Sequence, residues 1–106
     1  MVLALFSRLA DRRRHARRKA PTLRVRIDGR NYRTADWSMG GVRLAGFQGH
    51  LRRLERVSGT VAVPGGPKGP FVAEVMWQRD DTVGLRFLEV APSVFFELST
   101  LGGSHV

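Results

Sequence analysis

The sequence predicts a mainly β protein, an antiparallel barrel or sandwich with a helix at each end, and three observations carry that reading. Six short segments at near-regular spacing read as strands, and in most of them apolar residues recur with period two. The connections between those segments are rich in glycine and proline. A helical period occurs only near the two termini.

The elements follow in order. Val2, Leu5, Phe6 and Leu9 recur at helical spacing, so residues 1–11 contain a short amphipathic helix, from about residue 2, that must dock on something to be stable. Arg12 to Lys19 has no apolar period and reads as an exposed basic arm over residues 12–22, in which Pro21 stops any helix. Leu23, Val25 and Ile27 then alternate with Arg24 and Arg26, the signature of a half-buried strand. Asp28-Gly29 turns the chain into a second strand, about Asn31 to Asp36. Met39-Gly40-Gly41 makes a tight bend into a third strand carrying Val42 and Leu44. Phe47 to Val57 fits either a helical turn or a loop. Residues 59–63 form a fourth strand, closed by the glycines and prolines of 64–70. Phe71, Ala73, Val75 and Trp77 mark one face of the longest strand, Asp80-Asp81 its turn, and Val83, Leu85 and Phe87 the inward face of the last. Pro92 opens a closing helix with Val94, Phe95, Leu98 and Leu101 on one side. The body therefore runs over residues 23–101, and 102–106 are a tail.

Charge is distributed unevenly over the 106 residues, whose net charge is +9. Residues 1–33 hold eleven basic side chains against Asp11 and Asp28, whereas residues 34–106 hold seven of each sign. The amino-terminal third is thus the anion attractor, and arginine dominates it, with Lys19 the one lysine. Arginine grips phosphate with a planar fork and stacks on bases.

Composition and motifs exclude several classes. No apolar run reaches the length of about 20 residues that spans a bilayer, so no integral membrane segment is expected. The start of the chain lacks the pattern of a secretory leader, and an intracellular, cytoplasmic protein is expected. Cysteine is absent, and His15, His50 and His105 have no helical metal-ligand spacing, so no metal site is expected. The 64–70 glycines lack the Gly-Lys-Ser/Thr ending of a phosphate loop, and no nucleophile elbow occurs, so no catalytic residue is assigned.

One constellation survives. It joins the arginines of 12–18, which recur four apart, to Asp36-Trp37-Ser38-Met39-Gly40-Gly41 at a strand end. Alone, an aspartate, a serine and two glycines at a bend are often structural. Beside arginines, the aspartate can accept from the Watson–Crick edge of guanine while the guanidinium groups hold phosphates and stack on base faces.

These residues resemble the PilZ domain family, receptor modules for cyclic di-GMP. The family's Arg-x-x-x-Arg motif reads here as Arg13 and Arg17, or in the alternative register as Arg14 and Arg18; its Asp/Asn-x-Ser-x-x-Gly motif reads as Asp36, Ser38 and Gly41, with Gly40 in the same bend. The resemblance extends from about Arg12 to Leu101. It implies a six-stranded antiparallel split barrel, cyclic di-GMP as ligand with no other cofactor, a non-enzymatic role, and an arginine arm that becomes ordered on the ligand and regulates a downstream protein partner. The competing reading is a nucleic-acid-binding barrel that uses the basic arm. Such a module needs several phosphate contacts and a steep salt dependence, whereas a ligand with two phosphates does not, and nucleic acid is the weaker expectation.

Overall fold

A computed structural model of the chain describes residues 4–5 and 16–102. Its elements are β1 (Ala4–Leu5), β2 (Arg24–Ile27), β3 (Arg30–Ser38), β4 (Gly41–Leu44), β5 (Arg56–Ala62), β6 (Lys68–Arg79), β7 (Thr82–Val90) and α1 (Pro92–Leu101). The strands pair in the order β1-β7-β4-β3-β2-β5-β6, and a further β6–β7 pairing closes β2 to β7 into a six-stranded antiparallel barrel. Closure removes most of the free edge that an open sheet of this size would expose, leaving the end of β7 beyond Arg86 uncovered by β4.

Local chemistry accounts for the turns. Ile27 pairs with Arg30 across Asp28-Gly29, both of which have positive φ (52° and 78°), as the tight hairpin turn with matching twist requires. Ser38 pairs with Gly41 across Met39-Gly40, and Arg79 with Thr82 across Asp80-Asp81. The ambiguous 47–57 stretch contains no helix: it is a loop with Leu54 at φ 72°, tied down where the Leu54 N–H donates to the Val75 carbonyl (2.7 Å), and its end joins β5. β6 starts earlier than expected, taking in Lys68 to Pro70 from the glycine-proline stretch. Pro70 has no N–H for the ladder, and its carbonyl accepts from the Ala91 N–H (2.9 Å).

The period-two faces meet in the core, where Leu23, Val25, Val61, Val75, Val83 and Trp37 are fully buried. Trp77 departs from the face assigned to it. The β6–β7 register slips between Val75 and Trp77, which brings Trp77 opposite Gly84 on the outside of the barrel, where it remains 39% exposed. α1 closes one end with Val94 and Leu98 buried, Phe95 and Leu101 packed partly against the core, and Phe96 exposed.

The amino-terminal helix lies outside the described residues except at Ala4 and Leu5, and there the backbone is extended. These two residues pair antiparallel with Val90 and Glu89. The reason is an opening in the sheet: β4 covers β7 only from Val83 to Arg86, so the end of β7 has ladder groups left to satisfy. Nor does the arm lack fixed contacts from Arg17 onward. Arg18 and Trp37 exchange backbone hydrogen bonds of 2.7 and 2.8 Å, stitching the arm to β3.

Gly41 is required by space, not by φ. A Cβ built there would lie 2.1 Å from the Leu85 carbonyl oxygen, and that oxygen belongs to the neighbouring strand's backbone. Gly41→Ala therefore forces β4 from β7 and costs about 1–3 kcal/mol, which lowers the melting temperature by roughly 4–8 °C per kcal/mol in a domain of this size. Thermal denaturation followed by circular dichroism measures it. An unchanged melting temperature would mean that β4 and β7 separate without cost.

Candidate functional site

The site begins with a bulge. In β3, Thr34 pairs with Leu44 but Asp36 pairs with Arg43, which leaves Ala35 without an opposite residue. Thr34 is buried on the inner face before the slip, and Trp37 occupies that face after it. Asp36 and Ser38 accordingly fall on the outer face, where polar side chains normally meet water. Both are nonetheless buried, at 3% and 5% exposure.

Burial of the Asp36 carboxylate is explained by what covers it. Arg17 donates from Nε to Oδ1 at 2.6 Å, and Arg43 donates from Nη2 to Oδ2. Each arginine side chain is a little under half exposed (44% and 42%), against 4% for the aspartate. The lone anion is thus compensated by two cations that keep part of their hydration, which limits the desolvation cost of the cluster.

Arg17 and Arg18, adjacent in an extended segment, diverge. Arg17 goes to the outer face and Asp36, while Arg18 donates from Nη2 to the Gly102 carbonyl (3.0 Å) just past the end of α1. A cation at that position is favoured by the negative end of the helix dipole. Trp37 completes the junction, donating from Nε1 to the Pro21 carbonyl (2.8 Å). Of the two registers for the arginine pair, the one containing Arg17 puts a guanidinium on the aspartate; Arg13 and Arg14 lie outside the described residues.

Ser38 Oγ accepts from the Gly40 N–H (3.1 Å), and the Gly40 carbonyl accepts from the Phe87 N–H (2.8 Å). The serine therefore fixes the bend, and the bend is anchored to β7. Together Asp36, Ser38, Gly40, Gly41 and Arg17 converge on one outer patch, whereas Arg18 is directed to the helix.

The strand registers extend that patch sideways. Asp36 is followed across the sheet by Arg43, Gly84 and Trp77, and Ser38 by Gly41, Arg86 and Glu74. Trp77 lies over Gly84, where a Cβ would come within 2.5 Å of its ring. Arg86 donates to Glu74 Oε1 at 2.6 Å. Sequence reasoning did not single out Arg43, Trp77 or Arg86. Arg43 had a usable signal, since it sits two positions from Gly41 and must share its face; Trp77 did not, because its orientation depends on the β6–β7 slip.

The Asp36 cluster yields a stability prediction. Arg17→Ala or Arg43→Ala alone leaves Asp36 one cation and costs about 1 kcal/mol or less. Removing both strands a buried carboxylate and costs on the order of 3–5 kcal/mol, more than the two single losses together. Urea denaturation of the four proteins in the cycle measures the coupling, and strict additivity would contradict the shared-carboxylate reading.

Comparison with known families follows the same residues. No curated protein matches the chain. The PilZ domain family model matches residues 11–98, a span that contains the arm, the bulged strand and all six barrel strands. With that match over most of its length, the chain belongs to the PilZ domain family, a family of cyclic di-GMP receptors.

Proposed function

We propose that this chain binds cyclic di-GMP on the outer face of β3, β4 and β7 and passes the binding event to a protein partner through its arginine arm. The observation that carries the reading is Asp36, a carboxylate buried on the outside of a barrel beneath two arginines, one of them from the arm. A carboxylate accepts from the paired N–H donors on the Watson–Crick edge of guanine, which no other common base presents in the same way. The two arginines are the complementary half of the ligand's chemistry, since guanidinium forks bind phosphate oxygens and stack on base faces.

The division of labour follows from placement. Asp36 reads the guanine edge. Ser38, Gly40 and Gly41 hold the bend that presents it, with Ser38 on the Gly40 N–H. Arg17 exchanges its hold on Oδ1 for a phosphate, and Arg13 completes the four-residue pair. Arg14 adds positive charge to the same arm. Arg18, bound to the Gly102 carbonyl, connects movement of the arm to α1. Trp77, partly exposed in the Asp36 row, offers an aromatic surface for the second base. The role is recognition without catalysis. Among the described residues no helix is long and apolar enough to cross a membrane.

Isothermal titration calorimetry with cyclic di-GMP tests the reading. The expected affinity is about micromolar or tighter, equivalent to about 8 kcal/mol. The part of a tryptophan emission change that is lost in Trp77→Phe reports the exposed Trp77, and the part that persists reports Trp37 beneath the moving arm. Absence of binding heat from a folded protein would contradict the proposal.

A further inference from the structure

Outward charges are arranged differently on the two sides of the barrel. On the β3–β4–β7–β6 side arginines meet carboxylates: Arg17 and Arg43 meet Asp36, and Arg86 meets Glu74. On the β3–β2–β5–β6 side they meet each other. Arg33 is directly opposite Arg24, which is opposite Ala62, which is opposite Lys68. The next row reads Asn31, Arg26, Thr60 and Pro70. Arg24, Arg26, Arg33 and Lys68 are all exposed, and neither row contains a carboxylate. Among the described residues the one side-chain partner of this group is Asn31 Oδ1, which accepts from Arg26 at 3.3 Å.

A like-charged pair directly opposite on a sheet is destabilising, and a carboxylate at either position would remove the repulsion. The arrangement therefore favours an anion supplied from outside. Its size is set by the spacing of the strands: Arg33 and Lys68 are three strands apart, roughly 14 Å, too far for one phosphate or carboxylate to reach both. Between them the short side chains of Ala62 and Thr60 leave a trough, and a concavity lined by Thr22, Arg24, Arg33, Ala62, Pro64 and Gly65 opens at its end. No aromatic side chain lies in either row to stack on bases, and no large apolar side chain projects there to enter a lipid layer.

We infer that the outer face of β2, β3 and β5 is a docking surface for an acidic polypeptide segment of a partner protein, with a carboxylate seated between Arg24 and Arg33. This surface borders the Asp36 patch along β3 but shares none of its residues, so the inference stands whether or not cyclic di-GMP is the ligand there.

The test uses the full chain and an oligoglutamate peptide as probe, with anionic phosphatidylglycerol vesicles and a single-stranded oligonucleotide as the other arms. Arg24→Glu/Arg33→Glu should weaken peptide binding by about tenfold or more. A control of equal charge change, Arg52→Glu/Arg53→Glu in an exposed loop, should weaken it by no more than about threefold. Arg33→Glu alone converts a repulsive pair into an attractive one, so its melting temperature should match or exceed that of the parent, while Arg24→Glu/Arg33→Glu exchanges one like-charged pair for another and should melt within a few degrees of the parent, which shows that it folds. Equal losses in the two charge-matched variants would reduce the effect to net charge and overturn the inference. So would a larger loss of vesicle or oligonucleotide binding than of peptide binding in Arg24→Glu/Arg33→Glu.

Discussion

The structure around the site depends on one carboxylate that faces outward and is nevertheless buried. Asp36 takes that position because β3 bulges at Ala35, which turns Trp37 into the core and its two neighbours out of it. Once there, the carboxylate must be compensated, and it draws Arg43 from the adjacent strand and Arg17 from the arm. The arm is therefore attached to the barrel through the same group that the proposed ligand would read. In the proposed binding mode, ligand and arm compete for the same two oxygen atoms, and their coupling needs no long-range rearrangement of the core.

Trp37 gives that coupling a second branch. Its backbone exchanges hydrogen bonds with Arg18, its indole donates to Pro21, and its ring lies near Gly102, whose carbonyl holds the Arg18 side chain. One buried residue thus sits beneath the arm, the bulge and the end of α1. In the proposed mode, a shift of Arg17 would reach α1 through the next residue in the chain, Arg18, and α1 carries the exposed Phe96 on its outer side.

Much of this was legible in the sequence because it rests on local chemistry. Asp28-Gly29 specifies its hairpin, Pro92 specifies the start of α1, and the alternation of Leu23, Val25 and Ile27 with Arg24 and Arg26 specifies a strand and its faces. The candidate binding residues were legible as a pattern, since a carboxylate, a hydroxyl and glycines at a bend form an informative set only beside clustered arginines. What was not legible depends on partners. A slip of one residue between two strands is decided by both strands, so neither the outward turn of Asp36 nor that of Trp77 can be read from β3 or β6 alone. The pairing of Ala4–Leu5 with β7 is of the same kind, because helical spacing in a short segment yields to an unfilled sheet edge.

Whether Asp36 reads guanine is shown more directly by selectivity than by affinity. The affinities for cyclic di-GMP and cyclic di-AMP should be measured for the parent chain and for Asp36→Ala, since adenine lacks the paired donors a carboxylate accepts from. The parent should prefer the guanine ligand by about a hundredfold or more, and Asp36→Ala should lose most of that preference while retaining the weaker, phosphate-driven binding common to both ligands. Undiminished selectivity in Asp36→Ala would contradict the claim, leaving the carboxylate as a structural anchor for the arm and the base recognition elsewhere.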